Sequence, residues 1–362
     1  MNEDKRLYFI RNIEALKDVD VQTQVTEYEI IADSDIVGSL TYDPYKCSIW
    51  EFSSKYEGEE RKLCLRVREK VYPAVYQPKK PEEYSGFYHG GSIAEEFVYL
   101  ASLFLRRRLE LGPIVRWNDV PHFISKRKEW LDKQLILGKS SLHNLTDWFQ
   151  LTEGLNRIYH QRFILATKFY HRALSLIDDQ PDMAYIDLVS AIETLSRDFD
   201  IGNVTIADLN NQKLEKYVSA IDDAGLRSNI EKVIVKAYSF SKRRFKDFIL
   251  DYTEETFWAD QKRPVHGKIK CEELASLLGR IYDQRSKTLH NGEPFPAYIF
   301  SIPINGEEIS SSLGISKGEK RWDTKYFIPY PHFFERLVNH VLKTFLRRNQ
   351  IVRDNSFAQA YL

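Results

Sequence analysis

Cysteine is scarce. Only three occur in 362 residues, Cys47, Cys64 and Cys271, and they are scattered without metal-ligand spacing. That argues against a disulfide framework and suits a reducing compartment, here read as the cytoplasm. No apolar run of about 18 residues exists, so no membrane span is expected. The opening Met-Asn-Glu-Asp-Lys-Arg leads into no sustained apolar core and does not read as a signal peptide. Charge of one sign is missing too: 52 Lys plus Arg face 52 Asp plus Glu. A globally basic nucleic-acid binder is therefore not indicated, which leaves only a local patch. Gly38-Ser39 and Gly90-Gly91 resemble no phosphate loop, because the Gly-x-x-x-x-Gly-Lys pattern is absent. His122, His143, His160 and His171 show no metal spacing and read as packing or surface residues. Internal repeats and low-complexity tracts are absent as well.

What is present is an ordinary globular composition, 43% hydrophobic and 29% charged, with enough length for two domains. The 21 Tyr and 21 Phe read mostly as large core side chains. Residues 1–88 read as β-rich. Candidate strands at 25–31, 48–52 and 62–67 alternate apolar with polar residues, between turn signals at Asp-Ser, Asp-Pro and Glu-Gly-Glu-Glu. Gln77-Pro78-Lys79-Lys80-Pro81 is a break, and a small antiparallel sheet is expected. Ser92 then opens a helix with Glu95 in capping-box position, its stripe running through Phe97, Leu100, Ala101, Phe104 and Leu105. Arg106-Arg107-Arg108 near its end reads as complement to the helix dipole, or, more sharply, as an RNA-facing patch. Gly112-Pro113 stops it, and 118–150 is mixed, with several Trp and short helical pieces.

From about Leu151 the pattern turns helical, with one long helix lined by Leu155 through Ile177. Asp178–Asp182 is a turn, and the helix holding Glu193 follows. A short helix around 213–221, a longer one over 226–252, and a break at Asp260–Pro264 come next. Tyr298-Ile299-Phe300 reads as a strand-like excursion, and Pro331 opens a last amphipathic helix through Phe345. The fold class is α+β: a β-rich N-terminal domain with appended helices, 1–150, sensing a trigger or holding the remainder silent, then an all-α domain, 151–362.

The segment Tyr282-Asp283-Gln284-Arg285-Ser286-Lys287-Thr288-Leu289-His290-Asn291-Gly292 stands out. Leu274, Leu277, Leu278, Ile281 and Leu289 mark an apolar face, and Asn291-Gly292 with Pro294 ends the helix. Spacing alone is weak. With 9 His, about two Arg…His pairs of this kind are expected by chance, and two occur, the other being Arg116…His122 in a loop-like context. On an ideal helix Arg285 and His290 lie about 140° apart and about 7.5 Å along the axis. Bringing them to one atom takes fraying of the last turn or a second copy of the helix.

At these residues the chain resembles the HEPN superfamily, and more closely its Apea-like branch, over roughly residues 155–350. Arg285-Ser286-Lys287-Thr288-Leu289-His290 fits the Arg-polar-…-His hallmark. Tyr282, Arg285, Ser286, His290 and Gly292 match the Tyr-x-x-Arg-Ser-x-x-x-His-x-Gly form. Ala191-Ile192-Glu193-Thr194-Leu195 looks like the family's earlier acidic helix. The resemblance implies an all-helical HEPN-type bundle, a homodimer, and a metal-independent endoribonuclease without cofactor, serving as a prokaryotic anti-phage defence or toxin effector. Others of the family bind RNA, nucleotide or a protein partner without cutting.

The chemistry of the residues agrees with that implication. RNA carries its own nucleophile, the 2′-hydroxyl. His290 would act as acid or base and Arg285 would hold the phosphoryl oxygens, leaving a cyclic phosphate. Ser286 and Tyr282 would orient the pair, and Lys287 would hold a neighbouring phosphate. Glu193 is expected to pair with Arg285 rather than act as a base. The bland alternative has Arg285 in an ion pair with Asp283 or Glu193 and His290 capping carbonyls. Lys242, Arg243, Arg244 and Lys246 form the strongest basic cluster, in a stretch, 224–270, with eleven basic and six acidic residues. Interleaved with Phe240 and Phe245, they read as an RNA contact or as a solvated helix face.

Overall fold

The computed structural model describes residues 16–17, 20–43, 47–52, 62–70, 92–118, 120–121, 139–143, 145–202, 204–209, 211–237, 240–259, 263–264, 266–301, 303, 306–310 and 327–350. The expected turns at Asp43-Pro44 and 57–60, the break at 77–81, Gly90-Gly91, His122 and much of the mixed stretch 118–150 lie wholly or partly outside them.

The fold is α+β. The N-terminal part supplies β1 (Thr23–Ala32), β2 (Ile36–Val37), β3 (Ser39–Tyr42), β4 (Cys47–Phe52) and β5 (Lys62–Lys70). After α1 (Ile93–Leu105) come β6 (Leu109–Trp117), β7 (Val120–Pro121) and β8 (Ser140–Ser141). The main sheet runs β3-β4-β5-β1-β6-β7, and its neighbours pair antiparallel. The strands expected at 25–31, 48–52 and 62–67 are present within β1, β4 and β5. Leu63, Leu65 and Val67 of β5 are buried on one face, while on the other face Arg66 and Arg68 are exposed and Cys64 is buried. β6 was not expected, since Gly112-Pro113 reads as a stop. Gly112 sits there because a Cβ would meet the Glu29 carbonyl oxygen at 3.0 Å. Pro113 falls where the β1–β6 register slips, so its missing N–H breaks no ladder bond.

α1 starts as the sequence predicts. Ser92 accepts from the Glu95 backbone N–H at 3.3 Å, and Glu95 accepts from the Ser92 N–H at 2.5 Å. Its end overturns both readings of the arginine triplet. Arg106 takes a left-handed conformation, φ 53°, and forks onto Glu335 at 2.5–3.1 Å. Arg107 is buried and donates to Ser140 Oγ at 2.7 Å. Arg108 donates to the Leu174 carbonyl at 2.8 Å and to Asp178. The three tie the end of α1 to α10, to β8 and to the end of α3, and are neither dipole ornaments nor an RNA face.

The helices are α2 (Leu145–Glu153), α3 (Arg157–Leu176), α4 (Pro181–Ser196), α5 (Gln212–Ser219), α6 (Ala224–Ala237), α7 (Ser241–Tyr252), α8 (Glu255–Trp258), α9 (Leu274–Asn291) and α10 (Pro331–Arg348). The expected helix over 226–252 is two. Phe240, in a left-handed turn at φ 50°, separates α6 from α7. The long helix expected to be lined by Leu155 through Ile177 is present as α3, but it begins after Leu155, where Asn156 caps it. Tyr298–Phe300 lies in a 3-10 turn, Ala297–Phe300, and not in a strand. Pro331 opens α10 as predicted.

α4 is the centre of the helical layer and packs on α3, α7, α9 and α10. Tyr185 of α4 stacks between Phe295 and Phe334, both 5.5 Å away. One continuous core runs from the sheet through α1 to this stack. Each large side chain buried there contributes about 1.5–3 kcal/mol.

One core position carries a pH signature. His160 of α3 is buried and neither ring nitrogen finds a partner among the described residues. Burial holds its pKa down at about 4. As pH falls below the ordinary histidine value, the unfolded chain takes a proton that the folded chain refuses until about 4. Stability attributable to His160 is therefore present above that ordinary value and is lost on acidification. The expected loss between about pH 7 and about pH 5 is about 2 kcal/mol. Urea unfolding at the two pH values measures it, and His160→Leu is expected to remove that part of the loss. An identical pH dependence in the variant would contradict the assignment.

Candidate functional site

α9 carries the motif. A 3-10 turn, Cys271–Glu273, leads into it, and Leu274, Leu277, Leu278 and Ile281 are all buried, as their spacing predicts. Leu289 is not with them; it is 48% exposed. Eight positions after Ile281 is about 80° round the helix, off the buried stripe. The stop is as expected: Gly292 adopts φ 68°, and its N–H reaches the Lys287 and Thr288 carbonyls. The last turn is intact through Asn291, so fraying does not bring Arg285 and His290 together within one chain.

Arg285 follows Ile281 by four positions and lies at the edge of the buried stripe. That aims it at α4. Its Nη2 donates to Glu193 Oε2 at 2.9 Å, and the Tyr282 hydroxyl donates to Glu193 Oε1 at 2.9 Å. One carboxylate thus fixes two motif side chains, using a different oxygen for each. The pair is at the rim and not sealed, with side chains 19% exposed for Arg285 and 25% for Glu193. The Arg285 Nε is buried and has no acceptor among the described residues. Burial first, and then the Glu193 charge, push the Tyr282 phenol up to about 12, so at neutral pH it is a donor. Its ring packs on Phe245 of α7 at 5.3 Å.

The His290 ring is exposed and makes no hydrogen bond or ion pair with any described residue. Ser286 is half-buried between Tyr282 and His290 in sequence, four from each, so the three share one stripe of the helix. Lys287 is exposed and 3.9 Å from Glu293. Asp283, one of the two partners considered for Arg285, is instead held by Lys242 at 2.6 Å.

That contact brings the basic cluster to the motif helix. Lys242 crosses from the first turn of α7 to α9, and its chain passes beside Gly279. Nothing in the sequence reveals this, since 41 residues separate Lys242 from Asp283. Arg243 turns the other way, to Asp208 at 2.9 Å, Asp247 at 3.4 Å and the Ile201 carbonyl at 3.2 Å. Arg244 and Lys246 are half-buried on the same helix. The exposed pairs of Lys242 and Arg243 are worth about 0–1 kcal/mol each, so an incoming phosphate can exchange with them.

Among the described residues no group of three or more His, Cys, Asp or Glu side chains is placed to hold a metal ion. No described helix is long and apolar enough to cross a membrane. Compared with family models, with curated proteins and with solved structures, the chain matches none.

Proposed function

We propose that the chain is a metal-independent endoribonuclease of the HEPN type, in its Apea-like form, whose helical layer works as a homodimer in a prokaryotic defence or toxin setting. The observation that carries this reading is the contrast between two side chains of α9. Arg285 is fixed at the rim by Glu193 with a buried N–H left over, and His290 stands exposed and uncommitted.

The residues have the parts that RNA cleavage needs. A base takes the 2′-hydroxyl proton, the oxygen attacks phosphorus, the bond to the 5′-oxygen breaks, and that oxygen receives a proton. The product ends in a cyclic phosphate. Histidine can take both proton steps. A guanidinium stabilises the added charge on the phosphoryl oxygens. Since the pair is about 140° apart on one helix, the site is completed by Arg285 of one copy and His290 of the other. Lys242 and Lys246 would steer the strand toward it.

The same 140° favours a second reading, a HEPN-type module that binds RNA, nucleotide or a protein partner without cutting. A cleavage assay separates the two. Labelled RNA is incubated with wild type, Arg285→Ala and His290→Ala, with and without chelator. Cleavage that survives chelator, ends in cyclic phosphate and vanishes in both variants is the expected result. Mixing the two variants is expected to restore part of the activity, because one mixed site keeps both side chains. Equal cleavage by all three proteins removes this site. RNA binding without cleavage by wild type gives the second reading the field.

A further inference from the structure

The sheet carries a separate polar site on the face turned away from α1. Strand register builds it. Glu27 on β1 stands opposite Arg66 on β5 and opposite Arg116 on β6. Arg66 stands opposite Ser48 on β4, and Ser48 opposite Thr41 on β3. Directly paired residues share a face, so these five form one polar row across five strands. A cavity of about 420 Å³ opens over the row, with Arg68, Asp43 and Asn118 also in its lining. Three arginines meet two carboxylates there, one positive charge in excess.

The carboxylates do not offset the arginines equally. Glu27 is buried, and both its oxygens are taken. Arg66 donates to Oε1 from Nε at 2.8 Å and from Nη2 at 2.5 Å, and Arg116 Nε lies 3.3 Å from Oε2. Glu27 is therefore a brace that orients two guanidinium groups. Arg116 keeps both terminal nitrogens free of hydrogen bonds and ion pairs with described residues, and its side chain is 45% exposed. The β1–β6 register slips just beyond the Glu27–Arg116 pair, a bulge of the kind that re-aims a side chain. Asn118 closes the rim in a left-handed conformation, φ 50°, its N–H on the Val25 carbonyl at 2.6 Å and its Oδ1 accepting from the Val25 N–H at 2.9 Å.

We propose that this cavity binds a small phosphate ester of mononucleotide size. The two braced guanidiniums would hold the phosphate, and the Ser48 and Thr41 hydroxyls would add donors. Arginine forks match phosphoryl oxygens geometrically. The volume falls within the range of small-molecule sites, about 300–1,000 Å³. A cation is disfavoured by the arginines and by the prior use of both Glu27 oxygens. An extended nucleic-acid strand is disfavoured by Glu27 and Asp43 in the lining.

The test is calorimetric titration of the full chain with AMP, adenosine and inorganic phosphate. AMP is expected to bind saturably, one per chain, and adenosine not at all. Arg116→Ala is expected to weaken AMP at least tenfold, a change of about 1.4 kcal/mol. Arg116→Lys, which keeps the charge and loses the fork, is expected to fall between. Arg285→Ala is expected to bind AMP as wild type does, which separates this site from the one on α9. Thermal unfolding checks that each variant is folded. The proposal is overturned if AMP does not bind at millimolar concentration, if adenosine binds equally, or if folded Arg116→Ala binds as wild type. Inorganic phosphate binding without AMP, or a single-stranded oligonucleotide binding where AMP does not, overturns the mononucleotide assignment.

Discussion

Arg106→Ala is expected to cost about 3–5 kcal/mol of stability, because it strands a buried carboxylate. Glu335 of α10 is fully buried. Burial alone would raise its pKa, but the Arg106 charge and hydrogen bonds, with that of Tyr170, outweigh burial and hold it below the ordinary glutamate value. Asn339 completes the network by donating to the Leu103 carbonyl at 2.8 Å and the Tyr170 hydroxyl at 2.9 Å. Removing the guanidinium leaves Glu335 either charged without a partner or forced to protonate. Both outcomes loosen the joint between the end of α1 and α10, 229 residues apart in sequence. Urea unfolding measures the cost. The double variant Arg106→Ala with Glu335→Leu is expected to recover much of it, since an apolar side chain of similar size needs no partner. A single-variant cost under about 1 kcal/mol would show that the pair is not needed to hold the layers together.

His290→Ala is expected to lower the single-turnover rate of RNA cleavage by about 10²–10⁴-fold, the usual worth of a positioned proton-transfer group. That corresponds to about 3–5 kcal/mol of barrier. Stability should move by less than about 0.5 kcal/mol, because the ring is exposed and makes no hydrogen bond or ion pair with described residues. This split between rate and stability distinguishes a reacting group from a structural one. Arg285→Ala should behave differently: a comparable loss of rate, and a stability change as well, since Glu193 and Tyr282 lose their shared geometry. Added imidazole is expected to restore part of the His290→Ala activity. An unchanged rate in His290→Ala would remove the histidine from the mechanism.

Much of the helical layer is legible in the sequence because its signals are local. Leu274, Leu277, Leu278 and Ile281 declare the buried face of α9, Gly292 its end, and Pro331 the start of α10. The expected partnership of Arg285 with Glu193 is present in the structure. It was legible because both residues lie on strongly patterned helices. The failures are equally physical. The turn at Phe240 has no glycine or proline to announce it, so α6 and α7 read as one helix. Arg106–Arg108 look like surface charge because their partners, Glu335, Ser140 and Asp178, are distant in sequence.

The sequence by itself determined the strands β1, β4 and β5, the start of α1, the buried face and stop of α9 and the start of α10, and that an arginine and a histidine share one helix at an angle that one chain does not close. Those properties follow from periods of two and 3.6 residues and from the caps, which act over a few positions. Only the tertiary structure decided which charges are spent. It assigned Arg106 to a buried glutamate, Lys242 to Asp283, and Arg66 with Arg116 to Glu27, while leaving His290 exposed. Sheet register and helix packing bring together groups tens to hundreds of residues apart, and a guanidinium has the same local pattern whether its carboxylate is found or not.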